Sequence, residues 1–311
     1  MRGKQLIAVG LFFCFICGCG PDKQNQQEPD EPYNNKVMHI SCDESFKPVI
    51  DAQIAVFESG HPDTKIIAHY KSEAECLRDL VVDTIRMIIL TRKISKGERD
   101  LVSDSTASGA EQLVVARDLI SVLVHPSSTD TFFSMKEIRD LLSGKSNKNL
   151  IPVFDGVKAT STVRFMLDSV LRGEKLTSKA VAADNSIGVI DYVSKVPNAV
   201  GFVGFSWIGN TDDTAQKAYR RKVKIAFLES TDSANAYIQP SQFFIYTNSY
   251  PMVRDLVYVL KERGRGLGHS FAFFLEQNDK GQLIFKRSYL FPVLKPNYIR
   301  EAELREKINN Q

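Results

Sequence analysis

The sequence predicts an α/β fold in which strands and helices alternate along the chain. Short apolar runs are repeatedly followed by segments of helical periodicity, and helix-start signals lie at the junctions. The first unit is a strand over Val37–Ser41, followed by a helix with Ser45 as its expected cap and Pro48 in its first turn. Alternation of this kind is typical of parallel sheets that are covered by helices.

The later elements continue the alternation. Capping-box patterns beginning at Ser72 and Ser134 open two helices, and Gly144 ends the second. Leu113–Val124 predicts one long strand or a pair of strands. The other predicted strands are Lys65–His69, Met87–Leu90, Leu150–Phe154 and Val200–Val203, and the other predicted helices follow Thr160 and cover Ile187–Val196, Met252–Lys261 and Leu267–Glu276.

The first 36 residues have the composition of a targeting signal and a tether. A basic start precedes the apolar run Leu6–Ile16, a secretory-signal pattern that is too short for a stable membrane span. A small Gly18 before Cys19 resembles the lipobox of bacterial lipoproteins, in which the cysteine is acylated. We therefore expect a signal peptide over 1–18, lipidation of Cys19, and a flexible polar tether over 19–36. An ordinary signal peptide with incidental cysteines is the alternative.

Composition excludes several function classes. The formal charge is +3 and falls to +1 once Arg2 and Lys4 leave with the signal, which argues against nucleic-acid binding. Three of the five cysteines precede residue 20, so the count excludes a disulfide framework and leaves open one pair, Cys42 with Cys76. The five histidines show no metal-ligand spacing, so no metal or cofactor is expected.

Hydroxyl side chains lie at three predicted junctions between a strand and a helix. These junctions are Ser45 with Phe46, Ser72, and Thr160-Ser161-Thr162. Ligands of α/β sheets bind where strands end and helices begin, and the free N–H groups of a helix start suit an anion. Each hydroxyl alone is also an ordinary helix cap. The third junction is more informative, because it presents three hydroxyls where one cap is needed.

Several segments, taken in order, resemble those of a known family. They are Ile40–Pro48, Phe57–Pro62, Ile88–Arg92, Glu137–Lys145, Thr160–Thr162 in place of a Ser-Gly-Thr motif, and Ala199–Gly204. The family is the substrate-binding component of phosphate-type ABC transporters, a group of class II periplasmic binding proteins. The resemblance runs from Val37 to about Pro292, and with the lipobox it indicates a lipoprotein member of a Bacteroidetes-like kind.

The resemblance implies a monomer of two α/β lobes with a cleft between them. Each lobe would be a mostly parallel sheet flanked by helices. The first lobe would comprise residues 37–116 and 234–311, and the second residues 117–233. The chain would cross between the lobes near Arg117–Leu119 and again near Thr231–Ala234.

The resemblance also implies a ligand site in the cleft. The expected ligand-binding residues are Ser45, Phe46, Ser72, Arg86, Thr91, Arg92, Thr160, Ser161 and Thr162. The family arginine four residues before Ser-Gly-Thr is replaced here by Gly156. Arg86 stands at the position of a buried family aspartate, although a shift of the alignment would place Asp83 there instead.

Carboxylates complicate this expected site. Asp43, Glu44 and Glu73 lie in or beside the ligand junctions, where they would repel an anion. The repulsion is relieved if they pair with Arg86 or Arg92, or if they accept a proton from a protonated oxyanion. The ligand is therefore expected to be an oxyanion, with phosphate first among the candidates and another ligand left open.

The expected function is a solute-binding protein that is not an enzyme. It would be lipid-anchored in a bacterial envelope, on the periplasmic or outer-membrane face, and would deliver its oxyanion to an ABC transporter permease. One alternative is a relative that binds another ligand or serves as an envelope sensor or scaffold. A remote alternative is a serine-type envelope hydrolase, although Gly204–Gly209 misses the nucleophile-elbow spacing by one residue.

Overall fold

A computed structural model describes residues 36–105, 110–156, 160–262 and 266–293. The predicted signal peptide, Cys19 and most of the tether lie outside them. The strands are β1 Val37–Asp43, β2 Lys65–Lys71, β3 Ile85–Leu90, β4 Glu111–Val124, β5 Phe132–Phe133, β6 Ile151–Phe154, β7 Val181–Ala182, β8 Ala199–Gly204, β9 Lys224–Ile225, β10 Phe227–Glu229, β11 Tyr237–Ile238, β12 Val253–Leu260 and β13 Phe291–Pro292. The helices are α1 Lys47–Gly60, α2 Glu73–Arg78, α3 Lys96–Ser105, α4 Met135–Ser143, α5 Ser161–Phe165, α6 Ser186–Val193, α7 Thr214–Lys222, α8 Gln242–Tyr246, α9 Leu267–Glu276 and α10 Asp279–Arg287.

The strands form a curled mixed sheet that runs through two lobes. Its order is β2-β1-β3-β12-β4-β8-β6-β7. In the first lobe β1 pairs in parallel with β2 and β3, and in the second β6 pairs in parallel with β7 and β8. Each lobe is therefore mostly parallel, as expected, and only the central strands β12 and β4 run antiparallel to their neighbours in this order.

Strand β4 connects the lobes. Up to Leu119 it pairs with β12, and from Ile120 onward it pairs with β8 and then β9. The change of partner falls at the end of the segment where we expected the first crossing. It also answers the question left open for Leu113–Val124, because this segment belongs to one long strand.

The buried apolar side chains divide in the same way. One cluster lies between the first-lobe sheet and α1, α9 and α10, with a smaller cluster on the sheet's other face, and another large cluster fills the second lobe. Ile245, Tyr250 and Met252 still belong to the second-lobe cluster. The second-lobe core therefore continues past the expected return crossing at Thr231–Ala234, while Gln242 of α8 also donates to the Lys286 and Leu290 carbonyls of the first lobe.

The prediction of a helix over Met252–Lys261 is wrong, because this segment forms β12. The strand lies between β3 and β4, and all five residues of Leu256–Leu260 are buried. A central strand covered on both faces has a continuous apolar run, so it lacks the alternation that distinguishes a strand from a buried helix.

The helix signals in the sequence have mixed outcomes. The capping box at Ser134 is confirmed, with Ser134 accepting from the Glu137 N–H at 3.2 Å, and Gly144 ends α4 with a φ of 78°. Ser45 does not cap α1, which corrects its expected role. A short 3₁₀ turn over Glu44–Phe46 precedes the helix, and its cap is Asp43.

The two cysteines within the described residues do not form a bond. Cys42 at the end of β1 and Cys76 in α2 are both fully buried free thiols. The disulfide that the sequence left open is therefore absent. Cys42 belongs to the large first-lobe cluster, and Cys76 belongs to the smaller cluster on the other face of the sheet.

Candidate functional site: the interlobe cleft

The carboxyl ends of β1 and β3 face the starts of α5 and α6 across the cleft between the lobes. Asp43 is the last residue of β1 and the first of three first-lobe carboxylates that meet donors of the second lobe. Its Oδ1 accepts from the Ser45 N–H at 3.0 Å, from the Ser45 hydroxyl, and from the Ser161 hydroxyl at 3.1 Å. Asp43 thus joins both lobes through one oxygen atom.

Glu44 makes the second contact between the lobes. Its Oε2 accepts from the Ser186 hydroxyl at 2.8 Å, and its Oε1 accepts from the Ser186 N–H at 3.3 Å. Ser186 is the first residue of α6, whose positive end favours a carboxylate. The side chain of Glu44 therefore takes the position that an anion would take at this helix start.

Glu73 makes the third contact. Its Oε1 accepts from the Thr91 hydroxyl at 2.6 Å and the Thr91 N–H at 3.1 Å. Its Oε2 accepts from Nε of Arg164 in α5, which also donates from Nη2 to the Thr91 hydroxyl at 2.6 Å. Glu73 lies at the start of α2 and its side chain is 2% exposed, whereas the side chain of Arg164 is 32% exposed.

A buried arginine forms the base of the cleft. Arg254 in β12 donates to Oδ2 of Asp118 in β4 from Nη2 at 2.8 Å and from Nε at 3.1 Å. Its Nη1 donates to the Ser161 hydroxyl at 3.0 Å. The Phe46 ring lies 5.2 Å from the guanidinium carbon, a cation–π contact. The positive charge is therefore already shared among groups of the protein.

Burial changes the proton affinity of the cleft carboxylates. It raises the pKa of Asp43 to about 6, although Arg254 and Ser45 act against it, and it raises the pKa of Glu44 to about 7, although Ser186 acts against it. Burial also raises the pKa of Asp155, which follows β6. For Glu73 burial acts in the same direction, but hydrogen bonds from Arg164 and Thr91 outweigh it and lower the pKa.

A cavity of about 270 Å³ opens beside these contacts and is lined by both lobes. Its only lining cation among the described residues is Lys71, which is paired with Asp79 at 2.7 Å. Asp43 Oδ2 and Asp155 Oδ1 are buried and have no hydrogen-bond donor among the described residues. The lining carboxylates are Asp43, Glu44, Glu75, Asp155 and Asp184, and the other lining residues are Tyr70, Ser72, Thr160 and Asn185.

The structure brings most of the expected site residues together. Ser161 and Thr162 lie within 3.4 Å of Arg254, while Thr160 accepts from the Val163 N–H and caps α5. One hydroxyl of the three therefore acts as the cap, and the other two face the cleft base. The remaining members near the cleft are Ser45, Phe46, Ser72 and Thr91.

Neither of the two expected arginines lines the cavity, which differs from the sequence analysis. Arg86 lies at the amino end of β3, about 16 Å along the strand from Thr91, and its carbonyl accepts from the Lys261 N–H. Arg92 is bound to Glu98 within the first lobe, at 2.7 and 2.9 Å. Ligand sites of such sheets lie at the carboxyl ends of strands, so a residue at the amino end of β3 is excluded by topology.

Sequence reasoning missed the charged residues that do reach the cleft base. Two apolar runs each contain an Arg-Asp dipeptide, Arg117-Asp118 and Arg254-Asp255. In the antiparallel pair of β4 and β12 these residues face each other reciprocally, Arg254 with Asp118 and Arg117 with Asp255. Charges inside apolar runs are rarely buried unless they are paired, so the two dipeptides were a usable signal. Arg164, Asp155 and Ser186 gave no comparable signal.

The cleft has no metal-binding geometry in the part of the chain that the structure describes. Within those residues, no group of three or more His, Cys, Asp or Glu side chains could hold a metal ion. The nearby Ser206 is buried and donates to the Ser45 carbonyl at 3.0 Å. Its hydroxyl therefore serves as a contact between the lobes.

A family model described as a PBP superfamily domain matches residues 25–278 of the chain. The chain belongs to the PBP superfamily. This superfamily is a class of solute-binding proteins, and the class is not enzymatic. No curated protein sequence matches the chain.

Solved structures share the superfamily fold at low sequence identity. A phosphate ABC transporter substrate-binding protein from Clostridium perfringens, with bound phosphate, has a TM-score of 0.68 and 20% identity over 83% of this chain and 99% of that one. An ABC-type phosphate transport receptor from Vibrio cholerae has a TM-score of 0.60 and 14% identity over 83% and 100%. The regulatory domain of MetR, a LysR family regulator from Neisseria meningitidis, has a TM-score of 0.52 and 10% identity over 83% and 98%. The fold alone therefore serves both transport and regulation.

Proposed function

We propose that this PBP superfamily member is the solute-binding component of an importer and captures a small ligand between its lobes. The observation that carries the proposal is the cavity, which is lined by Asp43, Glu44 and Ser72 from one lobe and by Asp155 and Thr160 from the other. A ligand that contacts both lobes stabilises their closed arrangement, which is how hinge closure around a ligand is driven.

Two ligand classes compete for this cavity. An oxyanion, with phosphate first, is supported by the Clostridium and Vibrio structures and by the Arg254, Ser161 and Thr162 donors at the cleft base. A ligand of other chemistry is supported by the carboxylates, because these outnumber the cations that line the cavity. An ionised oxyanion would be repelled there, whereas a ligand that donates hydrogen bonds or carries positive charge would be attracted. The geometry favours the second class.

Calorimetric titration distinguishes the two classes. Phosphate, sulfate and organic phosphates would be compared with primary amines at pH 5.5 and pH 8. An amine that binds the ionised carboxylates should bind more tightly at pH 8, because Asp43 and Glu44 have pKa values of about 6 and about 7. An oxyanion should bind more tightly at pH 5.5. Tight phosphate binding that is stronger at pH 5.5 would restore the oxyanion proposal.

The proposed cellular setting follows the sequence expectations. Cys19 would carry the lipid that holds the protein on the bacterial envelope, and an ABC permease would receive the ligand. No helix among the described residues is long and apolar enough to cross a membrane. Cys19→Ser should release the protein from the membrane fraction and abolish incorporation of labelled fatty acid. Labelled lipid on the mutant would contradict the anchor.

A further inference from the structure

Asp43 accepts the hydrogen bonds of the donors at the first ligand junction, the one at Ser45 and Phe46. A free oxyanion bound there would need the Ser45 N–H, the Ser45 hydroxyl and the Ser161 hydroxyl. All three donate instead to one oxygen of Asp43, the N–H at 3.0 Å and the Ser161 hydroxyl at 3.1 Å. We propose that the Asp43 carboxylate is a built-in anion, which occupies the oxyanion position of the cleft and excludes free phosphate.

Covalent attachment gives Asp43 an advantage over any free anion. The carboxylate is fixed two residues before Ser45, so it reaches these donors without the loss of translational freedom that a free ligand suffers on binding. The 3₁₀ turn over Glu44–Phe46 holds it in this place, because Asp43 is the cap of that turn. A phosphate ion would have to displace the cap as well as the hydrogen bonds.

The surrounding charge opposes a second anion. The guanidinium of Arg254 faces the site, but it makes two hydrogen bonds to Asp118, whose side chain is fully buried. Asp155 and Glu73 add negative charge near Asp43, and both act to raise its pKa. A phosphate dianion placed beside Asp43 would therefore be repelled by Asp43 and Asp155 in a site that is shielded from water.

The same contacts give Asp43 a role in lobe closure. Its Oδ1 bridges Ser45 of the first lobe and Ser161 of the second, which is the bridging role that a bound ligand has in a hinged protein. Its Oδ2 has no donor among the described residues, and Asp43 lines the cavity. The inference rests on the proposed function, since it specifies that free phosphate does not bind in the same cleft.

The test is titration of inorganic phosphate into the full chain in detergent, with the wild type and three variants. Asp43→Ala frees the three donors, and we expect it to bind phosphate at least tenfold more tightly than the wild type, equal to 1.4 kcal/mol. Phosphate should also raise the melting temperature of this variant and not that of the wild type. Asp43→Asn removes the charge but keeps an oxygen at the donors, so its gain should be measurable and smaller.

Asp184→Asn is the matched control. It neutralises an exposed carboxylate of the same cavity without freeing a donor at Ser45 or Ser161, so phosphate should bind it as weakly as the wild type. An equal gain in this variant would overturn the inference in favour of a general charge effect.

Two further outcomes would overturn the inference. Micromolar phosphate binding by the wild type would refute it and would at the same time support the solute-binding function. Folded Asp43→Ala and Asp43→Asn variants that still refuse phosphate would also refute it, and the amine titrations would then test the solute-binding function separately. If Asp43→Ala fails to fold, Asp43→Asn decides, and no gain in that variant counts against the inference.

Discussion

The two walls of the cleft contribute different groups to the contacts between them. At these contacts the first lobe supplies carboxylates and the second lobe supplies hydroxyl, N–H and guanidinium donors, while Asp155 and Asp184 of the second lobe line the cavity beside them. The pairs are Asp43 with Ser161, Glu44 with Ser186, and Glu73 with Arg164. The two walls of the cleft are therefore complementary to each other, so the lobes contact each other directly. A binding protein whose walls both presented donors would need an anion to hold them together, whereas here the anions belong to the protein.

The largest expected effect is a loss of unfolding free energy when the Arg254–Asp118 pair at the base of the cleft is broken. Arg254→Met would leave Asp118 as an uncompensated buried carboxylate, and breaking such a pair costs about 3–5 kcal/mol of unfolding free energy. The control is the reciprocal pair of the same two strands, Arg117 with Asp255, whose side chains are each 42% exposed. Arg117→Met should cost less than about 1 kcal/mol. Urea unfolding measures both, and equal losses would contradict the assignment of Arg254 as the base of the cleft.

Arg164→Met would break one pair between the walls. Glu73 would keep its hydrogen bonds from Thr91 but lose its cation, so we expect a loss of about 1–3 kcal/mol in unfolding free energy. Arg92→Met removes a comparable ion pair within the first lobe, with Glu98. Hydrogen exchange should become faster at the starts of α2 and α5 in the first variant only. Faster exchange there in Arg92→Met would show that the effect is not specific to the contact between the walls.

The pH dependence of stability tests the Glu44 contact. The folded-state pKa of about 7 lies above the unfolded value, so the folded state binds more protons between these values. The stabilisation is complete below the unfolded pKa and is lost as the pH rises through about 7. Since Glu44 is only partly buried, we expect a loss of about 1–2 kcal/mol between pH 5.5 and pH 8.

Glu44→Gln should remove most of this pH dependence. The dependence that remains should come from the other carboxylates whose pKa burial raises, which are Asp43, Asp118, Asp155 and Glu276. Carboxylates with lowered pKa values, such as Glu73 and Glu98, are ionised in the folded and unfolded states throughout this range. An undiminished slope in the variant would exclude Glu44 as its source.

Local signals in the sequence predicted the fold well where they had a local cause. The Ser134 box and the Gly144 cap act within one helix, so the sequence was sufficient for them. Met252–Lys261 was misassigned because a strand buried on both faces has no alternation, and its neighbours β3 and β4 are far away in the chain.

The site was predictable at its junctions and not in its charges. Hydroxyls next to strand ends identified Ser45 and Ser161, since chain order places them there. The source of the positive charge depended on which ends of the strands face the cleft and on the pairing of β12 with β4. A motif alignment could supply neither, and it therefore favoured Arg86 over Arg254.

The most direct test of self-complementarity is the distance between the lobes in the ligand-free protein. Spin labels at Ala55→Cys on α1 and Ser178→Cys in the second lobe would lie on exposed positions, while Cys42 and Cys76 are buried. The chain would be expressed from Gly20 to omit the other three cysteines. We predict one narrow distance distribution without ligand, which lengthens and broadens in the Asp43→Ala, Arg164→Met double variant. A broad, long distribution in the wild type that these substitutions leave unchanged would contradict the account.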